Sequence, residues 1–187
     1  MTAGEVLHGS APARTVHRAT DTVIARSGRW HGDRMDNCEL ALESLIFACD
    51  TGALGQDNTR LSRAAQRGTL TRLKQGVYLR RSLWEALTPT ERHRVRLVMA
   101  ERLVGPGLVF SHVSAAALLG LPILGRWPAR AHVLRDCAAG GRSTTGLVRH
   151  ALGLSGVPLV TVDGLTVTAP SRTVIDLATT MRSTPRS

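Results

Sequence analysis

Leu42, Leu45, Ile46 and Cys49 stand at i, i+3, i+4 and i+7, the stripe of a helix buried along one side. They predict a helix over 36–50 that Thr51-Gly52 closes. Asp57, Asn58 and Thr59 can each cap a second helix by accepting bonds from its free amides. In that helix Leu61, Ala64 and Ala65 share one side. Arg60, Arg63 and Arg67 fall within about 60° of one another on the opposite side, at roughly 100° per residue. Gly68 is placed to end the helix. A hairpin is predicted next, with strands at 69–73 and 77–79 around a Lys74-Gln75-Gly76 turn, although Leu70 and Leu73 cannot point to the same face.

A second group of elements opens at Thr88-Pro89-Thr90-Glu91, the pattern of a capping box with proline in the first helical position, and predicts a helix to about Val104. Gly105-Pro106-Gly107 breaks the chain there. Ser111 is the expected cap of a helix from His112 to Leu119, which Gly120 and Pro122 close. Strands are predicted at 130–134, 146–151, 159–162 and 165–168, the last two joined by Asp163-Gly164, a strong hairpin signal. Ser171 after Pro170 is the expected cap of a final helix over 172–180. The first 34 residues show no sustained period and read as a flexible leader; Met35 follows directly and is a candidate start codon.

With 187 residues, 43% hydrophobic and a net charge of +10, the composition is that of a globular, basic protein. A strongly basic chain favours a polyanionic partner. Only Lys74 among the 24 basic residues is a lysine, so an arginine-biased genome accounts for part of the charge. It does not account for its distribution. Between Asp57 and Glu85 lie Arg60, Arg63, Arg67, Arg72, Lys74, Arg80 and Arg81 with no acid among them. Three guanidiniums on one helical face repel each other unless an anion faces them, and helix followed by hairpin is the reading half of a winged helix-turn-helix. In that reading Arg60, Arg63 and Arg67 face the major groove, with Gln66 suited to adenine and Arg63 to guanine. Lys74 and Gln75 at the wing tip, flanked by Arg72 and Arg80, meet phosphates or the minor groove. The competing reading is a solvated basic face.

Catalytic chemistry finds little footing. Cys38, Cys49 and Cys137 are odd in number and form no C-x-x-C pair, so they read as small core residues of a reduced, cytoplasmic protein rather than as a disulfide or zinc framework. The histidines are scattered without metal-ligand spacing. His112 beside Ser111 and Ser114 has no acid nearby in sequence and no nucleophile elbow, which leaves Ser111 as a cap and His112 as a first-turn residue. No glutamate follows Glu101 to build a carboxylate cluster. Asp136, Asp163 and Asp176 read as a loop residue, a turn residue, and a helix-surface residue or partner of Arg172. No catalytic residue, metal or cofactor is expected. No apolar run is long enough to span a bilayer, and the N-terminus lacks the apolar stretch of a signal peptide.

Three strings, RGTLTRLKQGVY opening at Arg67, SHVSAAALLGLP opening at Ser111 and VDGLTVTAPSRTVIDLA opening at Val162, in this order and spacing, resemble the AbiEi-like antitoxin and regulator family common in actinobacteria. The likeness covers roughly 40–180. It implies an N-terminal winged helix-turn-helix that binds operator DNA and represses its own operon, and a C-terminal α/β domain that counters a nucleotidyltransferase-type toxin. Arg60, Arg63, Arg67, Arg72, Lys74 and Gln75 fall on that family's recognition helix and wing. Many relatives continue into a nuclease-like domain, and the resemblance therefore implies a chain truncated at its C-terminus.

The expected fold class is α+β, with a leader at 1–34, a winged helix-turn-helix at 36–86, an antitoxin-like α/β domain with a β-hairpin and helices at 88–181, and a tail at 182–187. The expected function is a non-enzymatic, cytoplasmic, DNA-binding repressor whose partners are double-stranded operator DNA, a cognate toxin and, for a palindromic site, a second copy of the chain. Two rivals remain open: a protein-interaction antitoxin with DNA binding secondary, and an inactive remnant of a nuclease-fused relative. RNA binding is less favoured, because a recognition helix with a wing and only one tyrosine nearby, Tyr78, lacks the stacking surface typical of single-strand readers.

Overall fold

The computed structural model describes residues 35–53, 58–135 and 146–182. The expected leader, the cap at Asp57, the loop carrying Asp136 and Cys137, and the tail from 183 lie outside the described residues. The chain is mixed helix and sheet. Its first elements are helix α1 (Met35–Glu43), strand β1 (Ile46–Phe47), helices α2 (Ala48–Ala53) and α3 (Asn58–Gln66), and strands β2 (Leu70–Lys74) and β3 (Val77–Arg80). Helices α4 (Arg81–Ala86) and α5 (Pro89–Val104) come next.

The helix expected over 36–50 is instead helix, strand and helix. Ile46 and Phe47 pair antiparallel with Tyr78 and Val77, so their backbone bonds go to a neighbouring strand, and Phe47 is buried against Val77 and Met99. Leu42 and Leu45 do pack inward as the stripe suggested, whereas Cys49 is exposed rather than part of a core, and Thr51 and Gly52 lie inside α2. The local period holds for two residues and tertiary pairing overrides it for the rest.

The three strands run in the order β1-β3-β2, all antiparallel. Val77, Tyr78 and Leu79 of the central strand are all buried, because both faces of the sheet are covered. One face carries Leu79 against Ala41, Leu87 and Val95. The other carries Tyr78, whose hydroxyl lies 3.2 Å from Ser62 Oγ on α3. On β2, Leu70 stands opposite Arg80, whereas Leu73 packs against the first core, so the two lie on opposite sides of the strand. The register slips between Arg72 and Lys74, a bulge beside the Gln75-Gly76 turn. Leu79 is fully buried, so Leu79→Ala should cost about 2–5 kcal/mol, read as a loss of chemical-denaturation midpoint at unchanged slope.

α5 begins as the sequence dictates. Thr88 Oγ1 accepts from the Glu91 amide at 3.3 Å while Glu91 Oε2 accepts from the Thr88 amide at 2.6 Å, with Pro89 in the first turn. Val95 and Met99 of this helix join the cores under the first sheet, and Leu97 and Ala100 join the core under the second. One helix is thus shared by both layers.

The second sheet contains β4 (Val109–Phe110), β5 (Ala131–Leu134), β6 (Leu147–His150), β7 (Leu159–Val162) and β8 (Leu165–Thr168), in the order β6-β5-β4-β8-β7. Pairs β4/β8 and β5/β6 are parallel, and β4/β5 and β7/β8 antiparallel. Helices α6 (His112–Leu119) and α7 (Pro170–Arg182) pack on each other after β4 and β8 respectively. Asp163 and Gly164 take φ of 49° and 78°, the left-handed pair that a two-residue hairpin needs. Phe110, Val133, Leu147 and Val167 form the core with Leu97 and Ala117.

Two expected caps are corrected. Ser111 stands at the start of α6 but its side chain makes no capping bond; its Oγ lies 3.0 Å from His112 Nδ1. Ser171 is an exposed residue inside α7, because Pro170 itself opens the helix. Thr173 ties that first turn down instead, its hydroxyl 3.0 Å from the Thr168 carbonyl oxygen and 3.1 Å from that of Ala169.

Candidate nucleic-acid interface

α3 ends in a Schellman turn: the Gly68 amide donates to the Ala65 carbonyl at 3.1 Å and the Thr69 amide to the Ala64 carbonyl at 3.1 Å. Gly68 sits at φ 82°, a conformation a side chain resists, and this sharp stop sends the chain straight into β2. Leu61 is buried, Ala64 and Ala65 are half-buried, and Arg60, Arg63, Gln66 and Arg67 are exposed. The helix therefore rests on its small side and presents its arginines outward.

The hairpin adds to the same side. Arg80 is paired with Leu70, and Arg72 with Tyr78, the residue that reaches Ser62 on α3. Cross-strand partners share a face, so Arg72 and Arg80 stand on the face against which α3 packs. Both are exposed, as is Gln75 at the turn. Lys74 departs from expectation: it is half-buried, and its ammonium lies 3.2 Å from where a Cβ on Gly146 would stand, toward the start of β6 rather than out from the wing. Among the described residues no acid forms a salt bridge with Arg60, Arg63, Arg67, Arg72 or Arg80. Arg81 makes only a loose exposed pair with Glu85 at 3.9 Å.

A second constellation is not visible in the sequence. Its members come from α5, α6, β5, β6 and α7. The rings of His112 and His150 stack at 3.7 Å, and His132 Nδ1 lies 3.0 Å from His150 Nε2. Asp176 Oδ1 accepts from Arg172 Nε at 2.7 Å, while its buried Oδ2 has no hydrogen-bond partner and lies 4.0 Å from His112 Nδ1. Asp176 is 2% exposed, which corrects its reading as a helix-surface residue and keeps the expected pairing with Arg172. His112 takes φ 52°, a strained position for a non-glycine residue at a helix start.

His93, fully buried on α5, lies 3.0 Å through Nδ1 from the Pro128 carbonyl and 3.3 Å through Nε2 from Ser114 Oγ. A carbonyl only accepts, so Nδ1 carries the proton and Nε2 receives the Ser114 hydroxyl hydrogen. That hydroxyl in turn accepts from the His132 amide at 2.8 Å. Burial holds His93, His112 and His132 down to about 4, and lowers His150 as well. In His112 and His132 the neighbouring His150 adds to that effect.

This cluster is not a nucleophilic relay. Ser111 Oγ and Asp176 Oδ2 both face Nδ1 of His112, whereas a relay needs hydroxyl and acid on opposite ring nitrogens. No group of three or more His, Cys, Asp or Glu among the described residues is arranged to hold a metal ion. Nothing local in the sequence announces the cluster: Ser111-His112 and Arg172-Asp176 meet because α6 and α7 come directly after the adjacent parallel strands β4 and β8.

No protein-family model matches the chain, and no curated protein matches it. Among the described residues no helix is long and apolar enough to cross a membrane.

Proposed function

We propose that this chain is a DNA-binding transcriptional regulator of the winged helix-turn-helix type, acting at its own operon, with 36–86 as the DNA-binding unit and 88–181 as an antitoxin-like unit. The carrying observation is the set of exposed arginines on α3 with Arg72 and Arg80 on the same side, none paired to an acid among the described residues. The order helix, strand, helix, helix, hairpin supports the same reading, since it puts an exposed helix directly before a two-stranded wing.

α3 is nine residues long, and an α-helix about 10–12 Å across with its side chains fits a major groove about 12 Å wide. Arg63 is the side chain for a bidentate contact to guanine, and Gln66 for adenine. Arg60 and Arg67 flank them on phosphates, with Arg72, Arg80 and Gln75 following the backbone. The reading assigns no catalytic group, cofactor or metal and a cytoplasmic location. Its partners are double-stranded DNA, a second copy of the chain on a palindromic site, and, by the family resemblance alone, a nucleotidyltransferase-type toxin.

A gel shift with the gene's own upstream duplex against a scrambled duplex tests the proposal; equal affinity for the two would sink it. With about four arginine–phosphate contacts, affinity should fall by a factor of roughly 150 between 50 and 200 mM salt. A flat salt dependence, measured by fluorescence anisotropy, contradicts the electrostatic part of the reading.

A further inference from the structure

A groove of about 760 Å³ opens beside the start of α5, lined by Pro89, Thr90, Arg92, Arg96, Arg126 and Trp127 among others. It has three guanidiniums and no carboxylate in its lining. Arg92 is fixed rather than mobile: its Nε donates to the Trp84 carbonyl at 3.0 Å and its Nη2 to the Glu85 carbonyl at 3.1 Å, which close the end of α4. Arg96 lies one helical turn further on. Both guanidiniums sit over the Trp84 ring, at 5.3 and 5.1 Å from its centroid.

Like charges one turn apart repel, and no acid among the described residues pairs with Arg96 or Arg126. Burial first, and Arg92 second, push the Arg96 guanidinium down from its ordinary range. An anion between them would relieve both effects. Trp127 is held from one side by the His93 ring, 5.4 Å away at 21°, and contributes an aromatic wall to the groove. The Thr90 amide lies in the first turn of α5, where an α-helix leaves its N–H groups without an intrahelical acceptor. A planar guanidinium binds phosphate oxygens in pairs, and Arg96 presents one from its seat over the Trp84 ring.

We propose that this groove binds a small phosphate-bearing ligand of the nucleoside di- or triphosphate class, its phosphates on Arg96 and Arg126 and its base beside Trp127. The recess favours a small ligand over duplex DNA, because a concavity of this volume suits a single small molecule whereas a duplex is a rod that meets protruding elements. Arg92 couples the groove to the wing, since the helix whose end it closes continues directly from β3. The site is separate from the α3 face and does not depend on the DNA-binding reading.

The test is calorimetric titration of the full chain with ATP, inorganic pyrophosphate and adenosine, with tryptophan fluorescence as a second readout. Expected is saturable binding of ATP and pyrophosphate with Kd at or below about 1 mM, and adenosine weaker by at least about tenfold. Arg96→Gln and the exposed Arg126→Gln should each weaken ATP by at least about tenfold, whereas Arg63→Glu with Arg67→Glu should leave it unchanged. Absence of binding at about 1 mM overturns the proposal. So does ATP binding that ignores Arg126→Gln in a protein of unaltered thermal midpoint. Loss of duplex affinity in Arg96→Gln without loss of ATP affinity assigns the groove to the DNA backbone and overturns it equally.

Discussion

Arg63→Glu combined with Arg67→Glu is expected to weaken binding to the upstream duplex by at least about a hundredfold at moderate salt, while the thermal midpoint stays where it was. Both guanidiniums are exposed, Arg63 on α3 and Arg67 in the turn that ends it, and carry no acid partner among the described residues, so reversing them breaks no ion pair among those residues. Exposed substitutions of this kind change stability by less than about 0.5 kcal/mol. On DNA the change is severe, because two attractions become two repulsions against a dense phosphate array. The paired substitution also separates the two readings of a basic surface: a merely solvated face would leave duplex affinity unaltered. Lys74→Gln, by contrast, should cost little affinity, because its ammonium is turned toward Gly146.

The second large effect is acid destabilisation. His93, His112 and His132 are held near 4 in the folded chain, mainly by burial, whereas an exposed histidine titrates near 6.5. From pH 6.5 down to 4 the unfolded chain gains protons that the folded chain refuses. Stability is therefore full above about pH 7, falls as pH drops through 6.5, and levels off below 4. At pH 5 the loss is on the order of 2 kcal/mol for each histidine, and somewhat less in sum where His112 and His132 share His150. The bonding pattern gives the reason at atomic scale: a second proton on His93 would confront the Ser114 hydroxyl with a donor where it now donates, and two protonated rings cannot keep the contact between His132 and His150. Denaturation midpoints at pH 7.5 and 5.0 check this; a flat profile rules it out. His93→Gln should be less stable at neutral pH and shallower in its pH dependence.

Elements whose causes are local can be read from the chain. The Thr88 capping box, the bounds of α6, the Asp163-Gly164 turn and the arginine side of α3 with its Gly68 stop each depend on a few neighbouring residues, and in each the structure agrees with the sequence pattern. Elements whose causes are distant cannot. Ile46 and Phe47 carry helix-like spacing and become a strand only because β3 lies beside them. α4 has no side-chain cap to signal it; it forms where Leu83 and Trp84 pack onto the first core. The histidine cluster draws on five elements, and Asp176 comes near His112 across 64 positions of chain, a juxtaposition no spacing rule encodes. For the arginine side of α3 and the hairpin, exposure agrees with the helical period, and the one departure, Lys74, arises from a neighbour at Gly146 in the second sheet.

α5 lends Val95 and Met99 to one core and Leu97 and Ala100 to the other. A seam drawn between residues 87 and 88, where the second group of elements opens, would cut through packing as well as connectivity: the stretch before it would lose the floor beneath β3. In evolutionary terms the portable piece is larger than the arginine-bearing helix and hairpin alone. Recombination that exchanged the later elements would have to leave α5 with the first sheet, or supply another helix with apolar residues on both flanks.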